Sequence, residues 1–276
     1  MAERMAPSRF LDAGEESDQT LAPIKGYEQV SLVSLKEAVQ PIKSLLYDVD
    51  AMVETARRNS RKPKDDLTVD ESAAIHLYTM QWPDPHPSLY TTLNQRLRSK
   101  NRNTLTSWFL YLKLFLTALY KLPSYKGTVW RGVRGNLNDQ YDEDHIWWGA
   151  SSCTETMKTM ETFVGAEGVR TIFNIECING KSILNHSYFR EENEILLMPG
   201  SYFQVVDKWM PAKDLYIIHL REKIPPYETI ALPFEQSSPS IKTSSIEKLT
   251  ISTEKKSTST GNISLAKPQG NFFIFL

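Results

Sequence analysis

The spacing of apolar and polar positions changes period near the middle of the chain. Leu35, Val39, Ile42, Leu46, Val49 and Val53 recur every three or four residues, the spacing of one buried helix face, with Ser34 placed to cap the start. A charged link over 57–66 follows. Thr68 and Glu71 then have the form of a capping box, opening a second helix that runs to about Met80. The prolines of Trp82-Pro83-Asp84-Pro85-His86-Pro87 break the pattern, and helical spacing returns over 88–98 and 104–121. Beyond that point, short β-branched and aromatic runs bounded by Gly, Pro, Asn and Asp predict strands over 128–133, 146–152, 170–177, 194–197, 202–207 and 215–221. One helix, over 155–164, is inserted among them. A helical block followed by a strand-rich block predicts an α+β fold.

Composition bounds the domain. Residues 1–29 are polar and turn-rich and read as a mobile N-terminal arm, whereas 233–276 turn to Ser, Thr and Lys. That last segment cannot bury enough surface to offset its ordering entropy, so it is expected to be a disordered tail; its final run, Asn271 to Leu276, is the apolar exception. The folded domain is thereby assigned to 30–232. With 276 residues and a net charge of −1, the chain has no clustered basic excess of the kind that nucleic acid or an acidic membrane requires. The first residues lack the apolar core of a secretory signal, and the run from Trp108 to Tyr120, broken by Lys113, is too short to span a bilayer. A cytoplasmic protein is expected. Cys153 and Cys177 have no C-x-x-C spacing, which argues against zinc and for two free thiols in a reducing compartment. The five histidines are scattered and read as structural, and no Gly-rich dinucleotide or phosphate loop is present.

Three segments carry candidate chemistry. Glu192-Asn193-Glu194 stands where an apolar strand begins, and in a strand residues i and i+2 share a face about 6.5–7 Å apart. Two such carboxylates are costly to bury without a partner or a task, although a solvated loop would also explain them. Thr128-Val129-Trp130-Arg131-Gly132-Val133 places an arginine in a strand, which requires an anion or a structural ion pair. Ser151-Ser152-Cys153-Thr154 ends an aromatic strand in small hydroxyl and thiol groups, suited either to a site or to capping the helix that follows.

In this order, arginine, serine and Glu-x-Glu resemble the signature of the arginine-specific mono-ADP-ribosyltransferases. The segment from Leu67 to Thr79 is similar to the helix before that family's catalytic core, and the order of elements from Ser34 to Ile230 follows the family. Thr154 departs mildly from its Ser-x-Ser pattern. The resemblance implies a helical subdomain beside two small antiparallel sheets facing each other across a cleft that takes NAD, with NADP as the other donor to consider. It implies that Glu194 binds the nicotinamide ribose and stabilises the oxocarbenium-like sugar. Arg131 would hold the phosphates, and the backbone of Gly132 would approach the nicotinamide. Ser152 would orient Glu194, with Thr154 nearby. Glu192 would bind and deprotonate the incoming guanidinium of an acceptor protein with an exposed arginine. Tyr188 and Phe189 lie in the loop that would meet that acceptor, whereas Trp147 and Trp148 read as core. The alternatives are an NAD glycohydrolase with water as acceptor, and an inert NAD-binding module, which would be expected to have lost Arg131, Ser152 or Glu194. Secreted members of the family carry disulfides; these two cysteines do not follow that pattern.

Overall fold

The computed structural model describes residues 20–165 and 167–234. Its first half holds α1 (Leu35–Ala38), α2 (Val49–Asn59), α3 (Val69–Thr79), α4 (Leu89–Leu97) and α5 (Phe109–Lys121). The expected capping box at Thr68 forms, and the expected cap at Ser34 is a second box. Ser34 Oγ accepts from the Glu37 amide at 3.3 Å while the Glu37 carboxylate accepts from the Ser34 amide at 3.1 Å. Thr68 and Glu71 make the same exchange at 3.2 and 2.8 Å. Each box satisfies amides that the helix itself cannot, a gain of about 1 kcal/mol.

The single helix expected over 34–53 is instead α1, a 3-10 turn over Gln40–Leu45, and α2. Pro41 has no N–H to donate, and inside an α-helix its ring would clash with the carbonyl four residues back. Asp48 then turns left-handed at φ 42° before α2 starts. The helix expected from Thr104 likewise begins as a 3-10 turn, Arg102–Trp108, ahead of α5. α3 is buried on every side from Glu71 to Thr79. Its buried Glu71 carboxylate meets Lys121 Nζ of α5 at 2.7 Å, the compensation that a buried charge needs.

Residues 20–29, assigned from composition to the mobile arm, are packed. Leu21, Ile24 and Tyr27 belong to the helical core, and Ile24 forms a parallel bridge with Ile230. These apolar side chains are isolated among polar neighbours, so local composition hides them. Residues 1–19 of the expected arm, and the expected tail from 235 onward, lie outside the described residues.

The strands are β1 (Ser124–Arg134), β2 (His145–Trp147), β3 (Ser151–Thr154), β4 (Arg170–Ser182), β5 (Glu194–Leu197), β6 (Ser201–Ala212) and β7 (Leu215–Lys223), with α6 (Met157–Val164) between β3 and β4. The expected strand 146–152 divides at Trp148-Gly149-Ala150. β2 pairs with β6 and β3 pairs with β5, and a Cβ on Gly149 between them would lie 3.0 Å from the Arg98 guanidinium.

The class is α+β. The strands run β1-β3-β5-β4-β7-β6-β2, with β1 also paired to β4. Pairing is antiparallel except between β4 and β7. The two antiparallel groups are continuous: β4 pairs with β7 over Arg170–Glu176 and with β5 at Lys181 and Ser182. The space between the groups is filled by an apolar core that includes Val129, Cys153, Phe173, Ile195, Leu197 and Leu220. The other side of β3 and β5, through Ala150, Leu196 and Met198, joins the helical core. The β3–β5 pair is thus held between helices and sheet.

Candidate active site

Residues directly opposite in an antiparallel ladder point to one side of the sheet. The register pairs Ser152 with Leu196 and Thr154 with Glu194, and Trp130 of β1 with Thr154. Ser152, Thr154 and Glu194 therefore share the face of Leu196, toward the helices, while Cys153 and Ile195 turn to the sheet core. Ser152 and Glu194 are diagonal neighbours on that face, with Cα atoms about 7–8 Å apart by sheet geometry.

Glu194 is the first residue of β5 and is fully buried. Ser187 Oγ lies 3.2 Å from Glu194 Oε2 and accepts from the Phe189 amide at 3.1 Å. With a lone pair committed to that amide, the hydroxyl donates its proton to the carboxylate. A carboxylate buried without such donors would cost several kcal/mol. The Ile183 amide adds a bond to the Glu194 carbonyl at 3.1 Å, fixing the start of the strand.

Glu192 is placed differently from expectation. β5 begins only at Glu194, and Asn193 between the carboxylates is left-handed at φ 44°, a conformation that asparagine tolerates better than most residues. Strand alternation therefore does not put Glu192 on the face of Glu194. It is half-buried in the preceding turn, where its amide donates to the Phe189 carbonyl at 3.3 Å.

Arg131 is buried, and its Nη1 donates to the Ser152 carbonyl at 2.7 Å, tying β1 to β3. The Cys153 thiol senses both flanking charges. Burial pushes its pKa far up, Arg131 opposes the shift and Glu194 adds to it, so Cys153 stays protonated. Burial likewise pushes Cys177 up, to about 11, and both cysteines are free.

Ser152 is the informative group. Its hydroxyl is buried and has no hydrogen-bond partner among the described residues. An unmade bond of this kind costs about 1–3 kcal/mol, so the atom fits a ligand's polar group. The expected hydrogen bond from Ser152 to Glu194 is not formed among the described residues, and Ser187 donates to that carboxylate. The Thr154 hydroxyl accepts from the Thr156 amide at 3.4 Å, shaping the turn into α6. Gly132 also has a different explanation: a Cβ there would stand 1.9 Å from Val164 Cγ2 and 2.3 Å from Met160 Sδ, so the glycine admits α6 against β1. On the side a Cβ would occupy, Gly132 faces α6. Trp147 and Trp148 are core residues. Tyr188 is exposed and packs edge-on against Phe189 and His76.

Sequence reasoning missed two supports. Ser187 is one; its only local signal is a small hydroxyl residue ahead of an aromatic pair. Asn94 of α4 is the other: its amide donates to the Ala150 carbonyl at 3.0 Å and accepts from the Ala150 amide at 3.1 Å, while Tyr78 Oη donates to the same carbonyl at 3.0 Å. Among the described residues, no group of His, Cys, Asp and Glu side chains is disposed to hold a metal, and no helix is long and apolar enough to cross a membrane.

Solved structures share this fold. The eukaryotic mono-ADP-ribosyltransferase ART2.2 superposes with a TM-score of 0.52 at 17% identity, over 70% of this chain and 85% of that one. Exoenzyme S from Pseudomonas aeruginosa, solved with human 14-3-3 protein beta and Carba-NAD, gives 0.50 at 17% identity over 68% and 88%. HopU1 of Pseudomonas syringae pv. Tomato DC3000, an ADP-ribosyltransferase, gives 0.49 at 20% identity over 71% and 90%. No curated protein matches the sequence. The sequence model of NAD:arginine ADP-ribosyltransferases matches residues 29–224, and the chain belongs to that family. It is a transferase that uses NAD.

Proposed function

We propose that this transferase moves ADP-ribose from NAD to the guanidinium of arginine on an acceptor protein in the cytoplasm. The observation that carries the reading is the pairing, on one face of β3 and β5, of a fully buried, hydrogen-bonded carboxylate with a buried hydroxyl that has no partner. NAD supplies a sugar whose bond to nicotinamide breaks with both electrons leaving on the nicotinamide. Glu194 faces the positive charge that develops on that sugar, and its fixed position strengthens the attraction because no reorientation is needed. Ser152 donates to a polar group of the substrate, and Arg131, already bonded to the Ser152 carbonyl, lends positive charge beside the donor's phosphates. Thr154 shapes the same edge. Glu192 takes the proton that the guanidine nitrogen loses as it bonds to the sugar.

A second reading, hydrolysis of NAD by water, is favoured by one observation: the left-handed Asn193 takes Glu192 off the strand face that bears Glu194. Labelled NAD, with and without agmatine as a small guanidinium acceptor, separates the two. Transfer predicts labelled agmatine. Nicotinamide release at an equal rate without any labelled agmatine would leave hydrolysis as the activity.

A further inference from the structure

The turn that carries Ser187 is bound to one helix by three polar side chains. In α3, Ser72, His76 and Thr79 follow one another at i, i+4 and i+7, a single helical face. Ser72 Oγ lies 2.9 Å from His186 Nδ1, and His76 Nδ1 lies 3.0 Å from the His186 carbonyl. Thr79 Oγ1 accepts from the Tyr188 amide at 2.8 Å and donates to the His76 carbonyl at 2.9 Å. Asp65, ahead of the helix, lies 3.1 Å from His186 Nε2.

These contacts fix the proton positions. A carbonyl only accepts, so His76 carries its proton on Nδ1 and its Nε2 accepts from Asn59 Nδ2 at 3.1 Å. The Asp65 carboxylate, held low chiefly by its bond from Asn185, also accepts, so His186 carries its proton on Nε2 and its Nδ1 accepts from Ser72. Ser72, His186 and Asp65 thus form a serine–histidine–carboxylate chain. Ser72 is fully buried within α3, so the chain braces a turn and offers no exposed nucleophile.

We propose that the Ser72–His76–Thr79 stripe and Asp65 position the Glu194 carboxylate, by clamping the His186–Tyr188 segment whose middle residue, Ser187, donates to it. These are positioning residues. The inference rests on the role given to Glu194 above.

The test uses the full chain and compares His76→Leu with His76→Asn. An asparagine amide nitrogen sits close to where Nδ1 of histidine does, so the second variant keeps the donor to the His186 carbonyl and the first removes it. Two quantities are read: amide hydrogen exchange over 183–192, and the steady-state rate of nicotinamide release. His76→Leu is expected to speed exchange in that segment and to lower kcat roughly tenfold or more, with KM for NAD within about twofold, because a misplaced catalytic group costs the transition state and not the ground state. His76→Asn is expected to stay near wild type in both. Unchanged exchange in folded His76→Leu, or equal losses in the two variants, would overturn the clamp. If His76→Leu does not fold, Thr79→Val removes the acceptor of the Tyr188 amide at nearly constant volume and is held to the same outcomes. A wild-type protein that releases no nicotinamide would defeat the function reading alone, since the exchange measurement still decides whether the stripe holds the turn.

Discussion

β3 and β5 are paired strands braced by the same helical block, yet their key side chains are left in different states. At β5, the turn over 183–189 delivers Ser187 to Glu194, so the carboxylate is oriented before any substrate arrives. At β3, Asn94 and Tyr78 fix the backbone at Ala150 just as firmly, but the Ser152 hydroxyl remains without a partner among the described residues. Native proteins satisfy nearly all buried polar atoms, and Ser152 is one of five side chains with an orphaned buried atom among the described residues; its place beside Glu194 is what makes it the position that the proposed function gives to the ligand. On this reading the fold completes the group that faces developing charge and leaves incomplete the group that recognises the donor.

The sharpest break in that comparison is at Glu194. Glu194→Gln keeps the shape and removes the charge, and nicotinamide release in a single turnover should fall about 10²–10³-fold while NAD still binds. A loss of only a few-fold would remove Glu194 from the chemistry. Glu192→Gln should next divide the activities. A charge-assisted contact is worth about 1.5–3 kcal/mol, so transfer to agmatine should drop roughly 10- to 150-fold with nicotinamide release largely kept. Equal loss of both would place Glu192 at the donor. Gly132→Ala probes the wall behind the site. Its Cβ would overlap Val164 and Met160, so it should destabilise the fold by about 1–3 kcal/mol, measured by thermal melting, and should depress activity only through stability. A selective rise in KM for NAD at full stability would instead mean that the ligand approaches this glycine.

The smallest effect concerns pH. Burial lowers the pKa values of His76 and His186, with Arg190 adding to both shifts and Lys64 to that of His186, while the backbone bond opposes the first and Asp65 the second. The unfolded chain then binds protons that the folded one refuses. Stability should be level above the ordinary histidine value of about 6.5 and fall as pH drops below it. Melting temperatures between pH 5 and 8 test the sign, and a rise on acidification would contradict the neutral imidazoles assigned above.

The parts of this site that were legible in the sequence are those set by nearest neighbours. β5 was read at its observed bounds, Glu194–Leu197, because an apolar run lies between an Asn and a Pro-Gly pair. The Thr68–Glu71 capping box and the cap at Ser34 are legible from spacing alone, whereas the part of Glu37 at Ser34 is not. What local pattern could not supply was conformation at single residues and contact across the chain. Asn193 has no neighbour that announces its positive φ, and it decides where Glu192 stands. Pro41 lies inside an apolar repeat that reads as one helix, and the ring interrupts it. Gly132 reads equally well as room for a ligand or for a helix, and only the path of α6 chooses. The polar stripe at 72, 76 and 79 is visible once its partner is known, but that partner lies more than a hundred residues away at His186.

The central claim is that the Ser152 hydroxyl awaits the donor while the protein itself has no use for it. Thermal melting with and without NAD tests this directly, comparing Glu194→Gln with Glu194→Gln/Ser152→Ala so that the ligand is not consumed. Without NAD, removing an unsatisfied buried hydroxyl should leave the melting temperature equal or higher. With NAD, binding at a hundred times Kd adds about 2.7 kcal/mol, so a loss of affinity appears as a smaller upward shift in the double variant. A lower melting temperature without NAD, together with an undiminished shift on adding it, would contradict the account.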